Sequence, residues 1–285
     1  MSATPAKGPP SPVPEQGRSE LTLRVFSGVI MATVAIGSAI YGGWLFALIW
    51  TGASLAVAFE WQRLVHKEMH GGPFLLAAAS VLLAAAGAWL IMPSLLLAAL
   101  VLAVIAGLLA PRNTGLETVA GVFYAAGLCS AVILCRGQGH DGLIVIFWLF
   151  AVVWGTDILA YFTGRTFGGP KLWPSVSPKK TWSGAMGGLV GGVVIGCLLL
   201  VLFGVKPALP HIVLSATFSV LTQAGDLFES FLKRRYGVKD SGSLIPGHGG
   251  FMDRLDGFIV AVVAAAAFGA LRGGYSSVSA GLLQW

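Results

Sequence analysis

The sequence predicts an all-α polytopic membrane protein. Hydrophobic residues make up 56% of the 285 residues and charged residues only 11%, whereas soluble domains carry about 25% charged residues. Apolar runs recur along the chain, and the 39 glycines suit helices that pack closely in lipid. The composition therefore excludes an ordinary cytosolic enzyme, a disordered protein and a coiled coil.

About nine apolar runs have the length and composition of membrane spans. A spanning helix needs about 20 mostly apolar residues, and only the run at 94–110 is clearly short. Tight connections such as Gly42-Gly43 favour helical hairpins between neighbouring runs. The predicted spans cover residues 24–42, 44–62, 73–92, 94–110, 116–135, 142–163, 184–204, 208–226 and 256–272.

The regions between the spans divide the chain into three parts. Residues 1–22 are proline-rich and polar, which predicts a disordered cytoplasmic tail. Residues 23–140 are expected to form N-terminal transmembrane helices. Residues 141–285 hold most of the acidic side chains and two long loops, at 164–183 and 227–255, so any chemistry is expected in this C-terminal region.

The basic residues predict the orientation of the chain. With a cytoplasmic N-terminus and nine alternating spans, all 18 Lys and Arg residues lie on the cytoplasmic side except Arg136, Lys206 and Arg272. Cytoplasmic loops are enriched in these residues, so we expect the C-terminus outside. The net charge of +6 suits anionic headgroups and does not by itself indicate a nucleic-acid partner.

One predicted span carries a stripe of glycines at every fourth position. Such small-residue stripes mark close helix–helix seams. Whether the partner helix belongs to the same chain or to a second copy, as in a homodimer, stays open at this stage. The stripe consists of Gly184, Gly188, Gly192 and Gly196.

Acidic side chains recur near the ends of the later spans. Asp157 lies inside an apolar run, four residues before Tyr161 on the same helical face; it can be a helix-packing polar pair or part of a site. Two further pairs are spaced three residues apart, so each pair shares a helix face. Oxygen-rich acids at one membrane face suit a hard cation such as Mg²⁺, although acids at a helix start are also ordinary capping residues. These pairs are Asp226 with Glu229 and Asp253 with Asp256.

Both cytoplasmic loops combine cations with features that bind phosphate. Glycines such as Gly247 let a backbone approach a ligand closely, and helix starts attract anions. Together with the acids, the loops suit a polyphosphate carried by Mg²⁺. Binding to anionic lipid would explain the bases alone, and His248 can be a general base or a hydrogen-bonding loop residue. The relevant residues are Ser177, Lys179, Lys180 and Thr181 in the first loop, and Lys233, Arg234, Lys239, Asp240, Gly249 and Gly250 in the second.

The stretch from Ser230 to Asp256 resembles the signature of the phosphatidate cytidylyltransferase (CDP-diacylglycerol synthase) family without a gap. Upstream segments that begin at Asp157 and Ser177 are also similar to this family. Ser183 departs from the resemblance, because many members have Glu there. The residues that carry the signature are Ser230, Leu232, Lys233, Arg234, Lys239, Asp240, Gly242, Ile245, Pro246, His248, Gly249, Gly250, Phe251, Asp253, Arg254, Leu255 and Asp256.

The resemblance implies a nucleotidyltransferase of phospholipid biosynthesis in the inner (plasma) membrane, with its active site facing the cytoplasm. CTP and phosphatidic acid would give CDP-diacylglycerol and pyrophosphate, with Mg²⁺ and a second cation such as K⁺. Because both reactants are anionic, positioning and charge neutralisation would dominate. By spacing and by resemblance, the expected metal ligands are Asp226, Asp253 and Asp256.

The resemblance also assigns roles to the remaining candidate residues. The bases of the second loop and Arg254 would hold CTP or lipid phosphate, and those of the first loop the other anionic group. Further residues expected at the site are Asp157, Tyr161, Asp240, His248, Gly249 and Gly250.

Three other functions share some of these sequence features. CTP-dependent polyprenol or phytol kinases share some features but not the full signature. CDP-alcohol phosphotransferases carry an Asp-Gly-x-x-Ala-Arg run, which is broken here after Asp256-Gly257. A transporter would suit Asp157 and the Gly-rich spans, but the sequence has no internal repeat and its acids lie at one membrane face.

Overall fold

The computed structural model describes residues 15–66 and 71–285, with side chains described from residue 22 onward. This part of the chain is almost entirely helical. Its elements are α1 (Glu15–Tyr41), α2 (Gly43–His66), α3 (Gly71–Trp89), α4 (Pro93–Leu109), α5 (Gly115–Arg136), α6 (His140–Phe167), β1 (Lys171–Trp173), β2 (Ser177–Thr181), α7 (Trp182–Leu202), α8 (Leu209–Arg235), α9 (Met252–Gly273) and α10 (Val278–Leu283).

Seven of the helices in the described residues are long and apolar enough to cross a membrane. The prediction of a polytopic helical membrane protein is therefore confirmed. Two of the nine predicted spans fall outside this set. The helix α4 has only 17 residues, and α8 carries polar residues on the face that it turns toward its neighbours.

The first helix begins earlier than the sequence predicts. The expected tail covers residues 1–22, but α1 starts at Glu15. Pro14 is the last proline of the N-terminal stretch, and the residues after it include good helix formers such as Glu15, Gln16 and Arg18, so nothing prevents the helix from extending this far. Residues 1–14 of the predicted tail lie outside the described residues.

The glycine stripe of α7 packs against α6 of the same chain. A methyl group at Gly188 would lie 2.9 Å from the Thr156 carbonyl oxygen, and one at Gly184 would lie 2.9 Å from the Ala160 carbonyl oxygen. The two backbones approach this closely only because the α7 positions lack side chains. The stripe therefore forms an intramolecular seam.

The polar face of α8 is bound to α6 and α7 inside the bundle. Ser215 accepts a hydrogen bond from the Trp148 indole at 3.0 Å, and Ser219 accepts one from Thr156 at 2.7 Å. Because these polar groups are paired inside the protein, α8 can be less apolar than a lipid-facing helix. The arrangement places the C-terminal end of α8, with Asp226, beside the ends of α6 and α7.

A two-stranded antiparallel sheet follows α6. In this hairpin Lys171 pairs with Thr181 and Trp173 with Ser177, within the predicted loop 164–183. The all-α prediction misses this element, because its strands have three and five residues and are mostly polar. The hairpin positions lysines over the ends of α6 and α8.

Candidate active site

A cavity of about 720 Å³ lies between the β-hairpin and the ends of α6, α7 and α8. It gathers six of the residues that the sequence predicts for the site. Three further polar or basic residues and four glycines at its wall were not predicted. The predicted residues are Asp157, Tyr161, Lys179, Lys180, Thr181 and Asp226, and the additional ones are Arg165, Lys171, Gln223, Gly164, Gly168, Gly169 and Gly184.

Carboxylates and one ammonium group meet in this cavity. Lys180 Nζ lies 2.5 Å from Asp226 Oδ2. Asp226 interacts electrostatically with Asp157 and with Asp256, and Asp157 interacts with Asp256. The like charges of three carboxylates beside one lysine leave the cluster short of positive charge.

The rim of the cavity is basic and partly aromatic. Arg165 donates a hydrogen bond from its guanidinium to the Tyr161 hydroxyl at 2.8 Å, and its charge lies over the Tyr161 ring. Lys171 and Lys179 are exposed on the hairpin beside it. This distribution, with cations outside and carboxylates inside, suits an anionic ligand that carries a cation.

The hairpin is fixed to the helices by short polar contacts. Thr181 caps α7 by accepting a hydrogen bond from the Gly184 amide at 3.1 Å. Ser183, which departs from the family signature, donates to the Gly168 carbonyl oxygen and contacts Thr181 at 3.0 Å. Ser183 thus holds the two ends of the hairpin region together. Ser177 lies at the other end of β2 and does not line the cavity.

The loop between α8 and α9 is organised around Asp253. Its Oδ1 accepts a hydrogen bond from Lys233 at 2.7 Å, and its Oδ2 accepts bonds from the Ser241 amide and hydroxyl and from the Gly250 amide at 2.8–2.9 Å. Lys233 also pairs with Glu229 at 2.7 Å. Asp253 and Lys233 therefore tie the loop to both helices.

The predicted loop residue His248 faces α1 and not the cavity. Its Nδ1 lies 2.6 Å from the Ser27 hydroxyl, and the guanidinium of Arg254 donates to its backbone carbonyl at 3.0 Å. Burial and the nearby charges of Arg254 and Arg24 lower the pKa of His248 below its usual value. The ring therefore contacts α1 through a hydrogen bond, and the lowered pKa favours its neutral form.

The other predicted loop residues are more exposed. Arg234, Lys239 and Arg254 have exposed side chains. Asp240 is also exposed and lines a second cavity of about 220 Å³ on the α2 side of the loop. The structure therefore separates the candidate residues into a cavity group around Asp226 and a loop group around Asp253.

Sequence reasoning misses a residue that contacts this loop from the first half of the chain. Glu60 of α2 is 1% exposed and accepts hydrogen bonds from the amides of Phe251 and Met252. The available signal was a carboxylate in an apolar run, the same signal that selected Asp157. The sequence does not show its partners, because these are backbone amides.

Residues 22–271 match the sequence profile of the cytidylyltransferase family. The match covers the cavity, the hairpin and the loop around Asp253. The chain belongs to the cytidylyltransferase family. As a cytidylyltransferase it is an enzyme of the nucleotidyltransferase class, as the sequence predicts.

Named relatives agree with the family assignment. A phosphatidate cytidylyltransferase of Brucella abortus biovar 1 (strain 9-941) is 37% identical over 260 residues, which cover 89% of this chain and 94% of the relative. One of Bacillus subtilis (strain 168) is 42% identical over 153 residues, covering 52% of this chain and 55% of the relative. One of Haemophilus influenzae is 43% identical over 128 residues, covering 43% and 44%. The predicted family resemblance is confirmed.

The carboxylates of this cytidylyltransferase differ in how freely they could bind a cation. Within the described residues, no group of three or more His, Cys, Asp or Glu side chains forms a ready metal cage. Asp226 and Asp256 offer hard oxygen donors in a cluster where Lys180 alone does not balance the carboxylates, which fits Mg²⁺. Asp253 would reach an ion only by giving up bonds to Lys233, Ser241 or Gly250.

Proposed function

We propose that the chain transfers the cytidylyl group of CTP to phosphatidic acid, which yields CDP-diacylglycerol and pyrophosphate. The family and the relatives both support this reaction. The structural observation that carries the proposal is the cavity in which a basic hairpin faces Asp157 of α6 and Asp226 of α8, with Asp256 of α9 within electrostatic reach of both. This is the charge pattern that a nucleoside triphosphate and its cation require.

The bases at the cavity rim bind and neutralise the triphosphate. Lys171, Lys179 and Arg165, which line the cavity, would contact its phosphates, and Lys180 balances Asp226. A phosphate oxygen of the lipid attacks the α-phosphorus, and the bond to the pyrophosphate oxygen breaks. Since both reactants are anions, lowering their mutual repulsion is the main contribution of these side chains.

Metal binding at this site is part of the proposal. Asp226 and Asp256 would hold Mg²⁺, and a second cation such as K⁺ would share the carboxylate cluster. When bound, the ion supplies charge neutralisation at the reacting phosphates. Asp253 keeps the loop in place through Lys233, Ser241 and Gly250.

The membrane arrangement is proposed as nine crossings with the site on the cytoplasmic face of the inner membrane. In support, Arg136 donates to the Ala39 carbonyl oxygen at 2.8 Å, so the α1–α2 and α5–α6 turns lie at one end of the bundle. At the other end, Arg235 pairs with Glu117 at 2.8 Å near the α8–α9 loop. A homodimer stays a prediction. The glycine stripe that suggested one packs against α6 of the same chain.

The test uses purified protein in detergent micelles with phosphatidic acid, labelled CTP and Mg²⁺. We expect CDP-diacylglycerol and pyrophosphate in equal amounts, and we expect EDTA or the substitution Asp256→Asn to stop both. Formation of CDP with a newly phosphorylated lipid alcohol, when one is supplied, would instead indicate a kinase. A folded, lipid-supplied sample that leaves CTP intact would refute the proposed reaction.

A further inference from the structure

Glu60 lies far from the signature in sequence but at its centre in space. It belongs to the last two turns of α2, between Phe59 and Trp61, and its side chain is 1% exposed. A buried carboxylate is costly unless hydrogen bonds compensate for its lost hydration. The contacts of Glu60 show where that compensation comes from.

Both oxygens of Glu60 accept hydrogen bonds from the start of α9. Oε1 accepts from the Phe251 amide at 3.0 Å, and Oε2 accepts from the Met252 amide at 2.8 Å. The first amides of a helix have no partners within the helix, and Phe251 at the N-cap provides no side-chain cap. Glu60 therefore caps α9 from another helix, with its negative charge at the positive end of the helix dipole.

The same carboxylate leaves no room for a side chain at two glycines of the loop. A methyl group at Gly242 would lie 2.5 Å from Glu60 Oε1, and one at Gly250 would lie 2.5 Å from Oε2. All three of the nearest atoms to the Gly242 position belong to Glu60. The loop backbone thus wraps around the carboxylate.

The attachment of the loop and α9 to Glu60, here called the tether, continues to the residues of the proposed reaction. The Ser241 hydroxyl lies 3.5 Å from Glu60 Oε2 and 2.8 Å from Asp253 Oδ2. Asp253 lies in the first turn of α9, one turn before Asp256. The position at which α9 starts therefore determines where both carboxylates lie.

We propose that Glu60 is a positioning residue for cytidylyl transfer, which fixes the start of α9 and through it the placement of Asp253 and Asp256. This inference rests on the proposed function for its kinetic test. It connects the N-terminal helices, to which the sequence assigned no role beyond spanning, to the active site.

The first test compares Glu60→Gln with Glu60→Asp in the full-length chain. Glutamine has the same shape but places an NH₂ group against one of the two amide donors, whereas aspartate keeps the charge and two acceptors on a shorter side chain. We expect Glu60→Gln to lower kcat by at least about tenfold, since small misplacements of reacting groups have such effects. Glu60→Asp should retain more activity than Glu60→Gln.

The KM for CTP provides a second readout. Glu60 does not line the proposed nucleotide cavity, so KM should stay within about threefold of the wild-type value while kcat falls. Glu117→Gln is the matched control, because Glu117 pairs with the exposed Arg235 outside this network. Wild-type kcat in Glu60→Gln, or higher activity in Glu60→Gln than in Glu60→Asp, would overturn the proposal.

A second variant tests the geometry while leaving the carboxylate in place. Gly242→Ala should displace the Glu60 carboxylate and lower kcat. Gly52→Ala should leave kcat unchanged, because Gly52 lies in α2, the helix of Glu60, and an added methyl group there has no neighbour within 4 Å. Equal kcat values for these two alanine variants would contradict the proposed contact.

Hydrogen–deuterium exchange separates this inference from the reaction itself. In Glu60→Gln we expect faster exchange at the amides of Phe251 and Met252 than in wild type and Glu117→Gln. If the wild-type protein made no CDP-diacylglycerol, the proposed function would fail, and faster exchange would still support the tether. Unchanged exchange at these two amides would overturn the tether regardless of turnover.

Discussion

Lys180 forms a 2.5 Å ion pair with Asp226 of the cavity and acts electrostatically on Asp157 and Asp256. Without it, Asp157, Asp226 and Asp256 would repel one another and any incoming phosphate. We expect Lys180→Gln to lower kcat/KM for CTP by about 100-fold, the order found when one partner of a hydrogen-bonded charge pair is removed. Steady-state kinetics would measure this.

The control for this prediction is Lys206→Gln. Lys206 is exposed between α7 and α8 at the opposite end of the bundle. The substitution removes the same positive charge at a residue that does not line the cavity. Equal kcat/KM values for both variants would contradict a specific role for Lys180.

Asp253 organises the loop through four hydrogen bonds, so its substitution should have two effects. In Asp253→Asn an NH₂ group replaces one acceptor and faces either Lys233 or the donors of Ser241 and Gly250. We expect turnover to fall by about 100-fold or more. Amide exchange at Gly250 should also rise. Loss of turnover with unchanged exchange would indicate a role at the substrates only.

The sequence predicts part of the site at the level of single residues. Asp157, Lys180 and Asp226 meet in the cavity because polar groups in an apolar chain are few and must find one another. Glu60 could not be placed in this way. Its partners are backbone amides, which carry no sequence signal, and they lie 191 residues away.

At the scale of helices, the α6–α7 seam depends on the absence of side chains. A methyl group at Gly188 would lie 2.9 Å from the Thr156 carbonyl oxygen and 3.0 Å from Ala160 Cβ. We expect Gly188→Ala to destabilise the fold by about 1–3 kcal/mol, as overpacking does. The thermal unfolding midpoint in detergent should therefore fall.

Gly37→Ala provides the comparison for the seam. Gly37 lies inside α1 with no atom within 4 Å of the added methyl group, so the substitution gains helix propensity without a clash. A lower unfolding midpoint in Gly37→Ala than in Gly188→Ala would refute the packing argument.

Helices were predictable from the sequence, but their neighbours and the hairpin were not. Each predicted span corresponds to a helix, because runs of apolar residues suffice to identify them. The strands at Lys171–Trp173 and Ser177–Thr181 are short and polar. They form because Thr181 and Ser183 are bound to the ends of α7 and α6, which is a tertiary effect.

At the scale of the molecule, α1 contacts the loop between α8 and α9 through the Ser27–His248 pair at 2.6 Å. Burial, Arg254 and Arg24 lower the pKa of His248, so the unfolded chain binds a proton more readily than the folded one. The stability from this site is complete above about pH 6.5 and declines as the pH falls toward the folded-state pKa.

Thermal unfolding across this range tests the contact between α1 and the loop. The thermal unfolding midpoint of the wild-type protein should decrease as the pH is lowered from about 7.5 to about 5.5. In His248→Gln, which does not titrate, the fall should be smaller. Identical pH profiles for the two proteins would show that folding does not change the pKa of His248.

The bond between α2 and α9 has a consequence for how the protein is made. Phe251 follows Glu60 by 191 residues, and chains are synthesised at about 5–20 residues per second. Glu60 therefore enters the bilayer roughly 10–40 seconds before its partners exist. During that interval the nascent chain carries a carboxylate without the amide donors that it has in the folded protein, and synthesis of α9 supplies them.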